Sequence, residues 1–514
     1  MRSCGILCHP TSIPSHFGIG DLGAGAYGLL DFLAEAGQGW WQVLPLGPTG
    51  YGDSPYQPFS AFAGNPLLID PEPLRQEDLL DDDDLSPVPP FPSDRVPYGD
   101  VITYKNDITR RAYYRLCQRS KHSYHEEIAA FSVNNACWLE DYVLFMALKM
   151  HHDWAGWSTW DRDIALRRPE ALEGWRRRLE EELGYRRFLQ FLFDRQWRAC
   201  KLYANDMGIE ILGDMPIFVG HDSADVWANQ DLFQLDDNGA STVVAGVPPD
   251  YFSPTGQLWG NPLYRWDIMK ERGYAWWLAR FRRALDQVDC VRIDHFRGIA
   301  GYWQIPAGEE TALNGHWVLG PGDAFVDALR EGLGGGLPII AEDLGLISED
   351  VVELRERHGL AGMRVLQFGF GSDAANDNLP HNWPRNTCAY TATHDNDTTR
   401  GWYESLDRDM QRRVHTYCGS DGDDIHWTMI RMAYTSQAEM AIVPLQDILG
   451  LGSEARLNQP GNPMGNWSWR YQDYQLRPQL AAALKEMATL SGRCGDPAVR
   501  GAPNVHVDIN YAKS

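Results

Sequence analysis

The chain has 514 residues and a mass of 58.2 kDa, enough for about three ordinary domains or for one large barrel with insertions. With 70 acidic against 46 basic side chains, the formal charge is −24, which repels nucleic acid and anionic lipid surfaces and argues against either as a partner. Nine cysteines, odd in number and without a CxxC pair, are read as reduced thiols of a cytoplasmic protein, and the stretch from Met1 to Pro10 is too short in its apolar run for a signal peptide or membrane span.

In chain order, short apolar runs rich in β-branched residues predict buried strands at 5–7, 41–46, 210–214, 290–294, 338–343, 363–368, 389–395 and 441–446. Helical spacing lies between several of them, at 27–36, 275–285, 324–333 and 348–357. The last of these opens on Ser348 as capping residue, with Glu349 and Asp350 in its first turn. Strands that alternate with helices form a parallel sheet, and eight is the number that closes on itself. The expected fold is therefore α/β: a (β/α)8 TIM barrel with inserted, mostly helical subdomains and no separate C-terminal β-domain.

Two stretches break the alternation. Residues 61–208 begin Pro- and Asp-rich, with an acidic run at 81–84 read as a solvated loop, and become strongly helical from 109 to 206. They are read as an inserted helical subdomain beside a barrel made of 1–60 and 209–514. Residues 233–267, and later about 452–470, are read as active-site loop insertions. The first is rich in Gly, Pro and Asp yet carries Tyr251, Phe252, Trp259, Tyr264 and Trp266, and a long aromatic loop on the C-terminal side of a strand is where a barrel builds a binding site. The chain as a whole has 20 Trp, 22 Tyr and 18 Phe; most are read as core, though flat apolar faces with polar edges also suit sugar rings.

Three predicted strands end in acids: Asp294, Glu342 and Asp395. At the mouth of a barrel such ends converge. The two-residue period puts Arg292 on the same face as Asp294, and a guanidinium beside a carboxylate favours the ionised form that a nucleophile needs. Glu342 leaves an apolar strand, where desolvation raises its pKa and keeps a proton available for a leaving oxygen. A lone strand-end Asp is commonly a cap or turn residue, but three in separate strand ends, with Arg292 and His394 beside two of them, balance that reading with a catalytic one.

The segments Gly52-Asp53-Ser54-Pro55-Tyr56-Gln57, Gly213-Asp214-Met215-Pro216-Ile217, Arg292-Ile293-Asp294-His295-Phe296-Arg297-Gly298, Ala341-Glu342-Asp343-Leu344-Gly345 and Thr393-His394-Asp395-Asn396 closely resemble the 4-α-glucanotransferase family (amylomaltases and disproportionating enzymes), related to the α-amylases. The resemblance runs from His9-Pro10-Thr11-Ser12 to Gly465-Asn466-Trp467-Ser468-Trp469-Arg470, with no departure at the catalytic positions. It implies Asp294 as nucleophile, Glu342 as general acid/base, and Asp395 as the acid that steadies the distorted sugar. It also implies that Arg292, His394 and Asp214 line the subsite of the transferred glucose, that Tyr56 is a stacking platform, and that Asn466 is a further substrate contact. The loop at 248–261, with Asp250, Tyr251, Phe252, Gln257 and Trp259, looks like the family's lid over the acceptor side. The reaction implied is transfer of α-1,4-glucan segments to the 4-hydroxyl of another glucan or of glucose, with two inversions through a covalent glucosyl enzyme. Such chemistry needs the two working carboxyls about 5–5.5 Å apart.

Other features carry less. His151-His152 points its rings about 100° apart on a helix and lacks metal-ligand spacing. The glycine-rich stretch 332–336 precedes a strand, so it is a turn and not a phosphate loop. No motif implies a cofactor or a metal, and the expected partners are α-1,4-glucans and maltooligosaccharides, with the protein a monomer or homodimer. Two rival readings stand beside transfer: an α-1,4-glucan hydrolase using the same three acids, and a catalytically silent glucan-binding protein using the same aromatics.

Overall fold

The computed structural model describes residues 2–249, 253–345, 347–462 and 464–494. Every predicted strand region forms one: β1 (Ser3–Leu7), β2 (Trp40–Gln42), β3 (Glu210–Pro216), β4 (Cys290–Asp294), β5 (Ile339–Ala341), β6 (Gly362–Val365), β7 (Thr387–Tyr390) and β8 (Met440–Pro444). All pair in parallel, in the order β6-β7-β8-β1-β2-β3-β4-β5. The remaining seam, between β5 and β6, is bridged by Ile340 with Ala361 and by the Asp343 carboxylate, whose Oδ1 accepts the Met363 N–H at 2.7 Å. The result is a (β/α)8 TIM barrel.

Alternate strand residues serve two cores. Leu212, Cys290, Ile340, Met363, Cys388, Tyr390 and Ile442 pack together inside the ring, so the barrel is filled and not a pore. Ile6, Trp41, Ile211, Val291, Ala341 and Val443 face the helices instead. Gly5 lets β1 and β2 approach: a Cβ there would stand 2.4 Å from both the Cβ and the carbonyl of Trp40. The predicted helices appear at Ala24–Glu35, Ala275–Gln287, Gly322–Gly332 and Glu349–Arg357. Ser348 sits at the N-cap of the last one but makes no capping bond; its hydroxyl accepts from Arg297 Nη2 at 3.2 Å.

Between β2 and β3 lie seven α-helices among the described residues. The helical region starts well before the expected residue 109: one helix already spans Tyr98–Gln118 and buries Tyr98, Val101 and Ile108. The last, Glu180–Asp206, leans on the barrel through Trp197, which lies 5.9 Å from Trp41 and donates to the Gln287 carbonyl. The acidic run is not simply solvated. Asp84 is ion-paired with Arg115 and Arg111, with 8% of its side chain exposed.

The stretch 233–267 is not a plain loop either. It contributes Val243–Val247 and Gln257–Pro262 to a four-stranded antiparallel sheet completed by Gly301–Pro306 and His316–Leu319. His151 and His152 pack on Trp175, with centroids 4.5 and 6.0 Å away, and no group of three metal-ligating side chains occurs among the described residues. All nine cysteines, each among the described residues, are free thiols, and five of them are buried. No described helix is long and apolar enough to cross a membrane.

Candidate active site

β4 carries Arg292 up the inside of the ring and ends on Asp294. The in-register neighbour of Arg292 on β3 is Asp214. The buried guanidinium donates to both, at 2.5 Å to Asp214 Oδ2 and 2.7 Å to Asp294 Oδ1, while its Nε rests on Met363. Burial alone would weaken its hold on the proton, but the two carboxylates outweigh it and raise its pKa well above the usual arginine range. Burial also pushes Asp214 up, and Arg292 opposes that shift. Tyr56 closes the group from the loop after β2, its hydroxyl donating to Asp214 Oδ2 at 2.8 Å.

Glu342 follows β5 directly. Its backbone N–H donates to the Ile293 carbonyl, and its own carbonyl accepts from Phe296, so the ends of β4 and β5 interlock. The carboxylate accepts two backbone N–H groups, from His295 at 2.7 Å and Leu344 at 2.8 Å. The first is aimed by a left-handed backbone at His295, with φ 58°, which is uncommon for a residue with a Cβ. Burial, then the charge of Asp294, raise Glu342 to about 7 against the opposing pull of Arg292 and the two N–H donors. Burial lowers the His295 imidazole to about 4, so it is neutral at pH 7. Trp259 meets it edge-on at 4.7 Å.

Asp395 differs from the expectation. β7 stops at Tyr390, so Asp395 lies in a loop five residues beyond the strand, and 46% of its side chain is exposed. Thr393 and Asn396 fold that loop upon itself: Asn396 Oδ1 accepts from both the N–H and the hydroxyl of Thr393. Asp395 Oδ1 accepts from Asn458 Nδ2 at 2.6 Å and lies 3.3 Å from His394 Nε2. Arg456 Nη2 donates to the Asp395 carbonyl at 2.7 Å.

Tyr56, Asp214, Arg292, Asp294, Glu342, His394 and Asp395 are thus brought together. One face of the Tyr56 ring is already covered, stacked on His394 at 4.9 Å and 13°, with Trp467 beside both. Gln257 and Trp259 are joined to each other by a 3.1 Å hydrogen bond on an edge strand of the small sheet. Asn466 is occupied by its own loop, accepting from the Gln459 N–H and donating to the Asn462 carbonyl, and bonds none of the acids. Asp250, Tyr251 and Phe252 lie outside the described residues. Sequence reasoning missed Arg456, Asn458, Trp467 and His295. The last two stand inside the motifs that carry the family resemblance, which was signal enough; Arg456 and Asn458 have none, because they act across more than 60 residues of chain.

Of the two carboxyls at the ends of β4 and β5, Asp294 is bound by a permanent cation, whereas Glu342 is desolvated and raised to about 7. That is the division needed when one acid must attack and the other must donate a proton.

The sequence model of one protein family, described as 4-alpha-glucanotransferase, matches residues 8–476. A 4-alpha-glucanotransferase of Synechocystis sp. is 51% identical over 495 residues, covering 96% of this chain and 98% of the relative. One from Thermus thermophilus is 47% identical over 500 residues, covering 96% and 99%. Among solved structures, an amylomaltase from Streptococcus agalactiae in complex with acarbose superposes with a TM-score of 0.93 at 38% identity, covering 96% of this chain and all of that one.

Proposed function

We propose, on the premise that the chain belongs to the 4-alpha-glucanotransferase family, that Asp294 is the covalent nucleophile, Glu342 the general acid and base, and Asp395 the carboxylate that steadies the distorted sugar. The protein is a 4-α-glucanotransferase acting on α-glucans. What supports the residue assignment most is the single pair Asp294 and Glu342: Arg292 holds the first at 2.7 Å, while burial and the charge of the first raise the second to about 7.

In the first step an oxygen of Asp294 attacks the anomeric carbon of an α-1,4-glucan. The bond from that carbon to the leaving O4 breaks, and Glu342 gives its proton to O4. Asp214, Arg292, Tyr56 and His394 surround the glucose held on the enzyme. In the second step Glu342 takes the proton of an incoming 4-hydroxyl, the acceptor oxygen bonds to the anomeric carbon, and the ester to Asp294 breaks. Configuration inverts twice and is retained. The acceptor is a second glucan or free glucose, and orientation of its hydroxyl with exclusion of water favours transfer over hydrolysis. Trp259, edge-on to His295, supports an acceptor lid on that side.

The same reading takes residues 1–60 and 209–514 as the catalytic barrel and 61–208 as its helical insertion. It places the enzyme in the cytoplasm as a monomer or homodimer, a location that nine free thiols suit.

The test is to incubate the protein with maltotriose and separate the products. A ladder of longer chains together with glucose, and no gain in total reducing ends, supports the reading. Maltose and glucose alone, with one new reducing end per cleavage, replaces it with hydrolysis.

A further inference from the structure

Of the three acids, only Asp395 is held by no strand. β4 ends on Asp294, and Glu342 follows β5 at once, but Asp395 comes five residues after Tyr390. A loop carboxylate that is nearly half exposed keeps its rotamer freedom unless a group from elsewhere fixes it. The segment after β8 supplies that group. Arg456 Nη2 donates to the Asp395 carbonyl at 2.7 Å, and Arg456 Nε donates to the Asn458 carbonyl at 2.8 Å, so one guanidinium ties the two backbones together. Asn458 Nδ2 then reaches Asp395 Oδ1 at 2.6 Å.

We propose that Asn458, held by Arg456, is a positioning residue that reserves Oδ1 of Asp395 for the protein and leaves Oδ2 open to the hydroxyls of the sugar being transferred. Both contacts to the carboxylate, Asn458 Nδ2 and His394 Nε2 at 3.3 Å, fall on Oδ1. No hydrogen bond occupies Oδ2 among the described residues. A neutral amide donor suits this role, because a charge-assisted hydrogen bond fixes the carboxylate's orientation and the amide does not itself titrate. The charged and titratable groups around Asp395 include His394 from its own loop, Tyr56 from the loop after β2 and Arg456 from the segment after β8, with the Asp214, Arg292, Asp294 and Glu342 cluster at the same mouth.

The inference rests on the role given to Asp395, so the experiment includes Asp395→Asn as reference. Asn458→Ala and Asn458→Asp are assayed as full-length enzymes in maltotriose disproportionation across pH, with melting temperature followed in parallel. Loss of one charge-assisted bond should lower kcat of Asn458→Ala roughly 10- to 100-fold, with KM and melting temperature near wild type. Asn458→Asp keeps the size but places two carboxylates in contact. They must share a proton, so the acid limb of kcat/KM should move up by about one pH unit or more. A merely structural Asn458 would move the melting temperature and leave that limb in place. If both variants keep wild-type kcat and acid limb while Asp395→Asn is inactive, the positioning role is overturned and the catalytic reading stands. If Asp395→Asn itself keeps its activity, the catalytic reading of Asp395 falls first.

Discussion

Arg292 stands between two carboxylates, bound to Asp214 on one side and to Asp294, two residues along its own strand, at 2.7 Å on the other. The Asp214 side chain is fully buried, whereas 32% of the Asp294 side chain remains open to the mouth of the barrel. One cation thus holds a buried carboxylate and a partly open one at once, and the two uses separate under mutation.

Arg292→Met should cost about 3–5 kcal/mol of stability, because it leaves Asp214 buried without its cation. Arg292→Lys keeps a charge but offers one point where two forks were used, so it should lose most transfer activity with a smaller loss of stability. Urea denaturation and initial transfer rates measure the two effects. A methionine variant as stable as wild type would remove the argument.

Glu342 gives a signed pH dependence. Its pKa is raised from 4.5 to about 7 in the folded chain, so the native state binds a proton that the unfolded state has released. The stability linked to that proton is complete below about 4.5 and is lost as the pH rises through about 7. Glu342→Gln removes the titration, so its melting temperature should gain on wild type as pH goes from 5 to 8. The same variant should lose roughly 10²- to 10⁴-fold in transfer rate. An unchanged difference in melting temperature across that range would contradict the burial of this proton.

Trp259 lies against His295, whose N–H binds Glu342. Trp259→Ala opens the acceptor side to water, and the ratio of hydrolysis to transfer should rise. Transfer conserves reducing ends and hydrolysis adds one, so a reducing-end count in a maltotriose reaction reads the ratio directly. A constant ratio would leave Trp259 as packing only.

Gly5→Ala tests the barrel itself. The added methyl would meet Trp40 Cβ and carbonyl at 2.4 Å, with Ile442 at 2.9 Å, in a parallel pair that cannot spread without opening the ring. A loss of at least about 1–3 kcal/mol is expected by chemical denaturation. Full retention of stability would show that β1 and β2 have slack.

What could be read from sequence follows the physics of each element. Barrel strands are buried on both faces and so read as continuous apolar runs, which is why all eight were found within a few residues. The small sheet is hidden because Gln257–Pro262 is exposed at three of its six positions, carries Gly260 and ends on Pro262, with no alternation to detect. Asp395 was placed at a strand end because Ala389-Tyr390-Thr391-Ala392 continues an apolar run after β7 has already turned away. Asp84 looked solvated because its partners Arg111 and Arg115 lie on a helix that begins later in the chain. Asn458 was out of reach for the same reason: its chemistry exists only once two distant loops meet.

β1 is flanked in the ring by β2 and β8, and Arg493 fastens the carbonyl of Ser3 from just beyond the helix Pro478–Leu490. β1 leaves the ribosome long before β8 and must therefore wait for it before its second edge is paired. At synthesis rates of about 5–20 residues per second, the gap from Leu7 to Pro444 takes roughly 20–90 s. Throughout that interval the nascent chain presents an unpaired apolar edge, the kind of surface that recruits strands from neighbouring chains. Recovery of soluble enzyme should thus be governed by translation speed and chaperone supply more than by the stability of the finished ring.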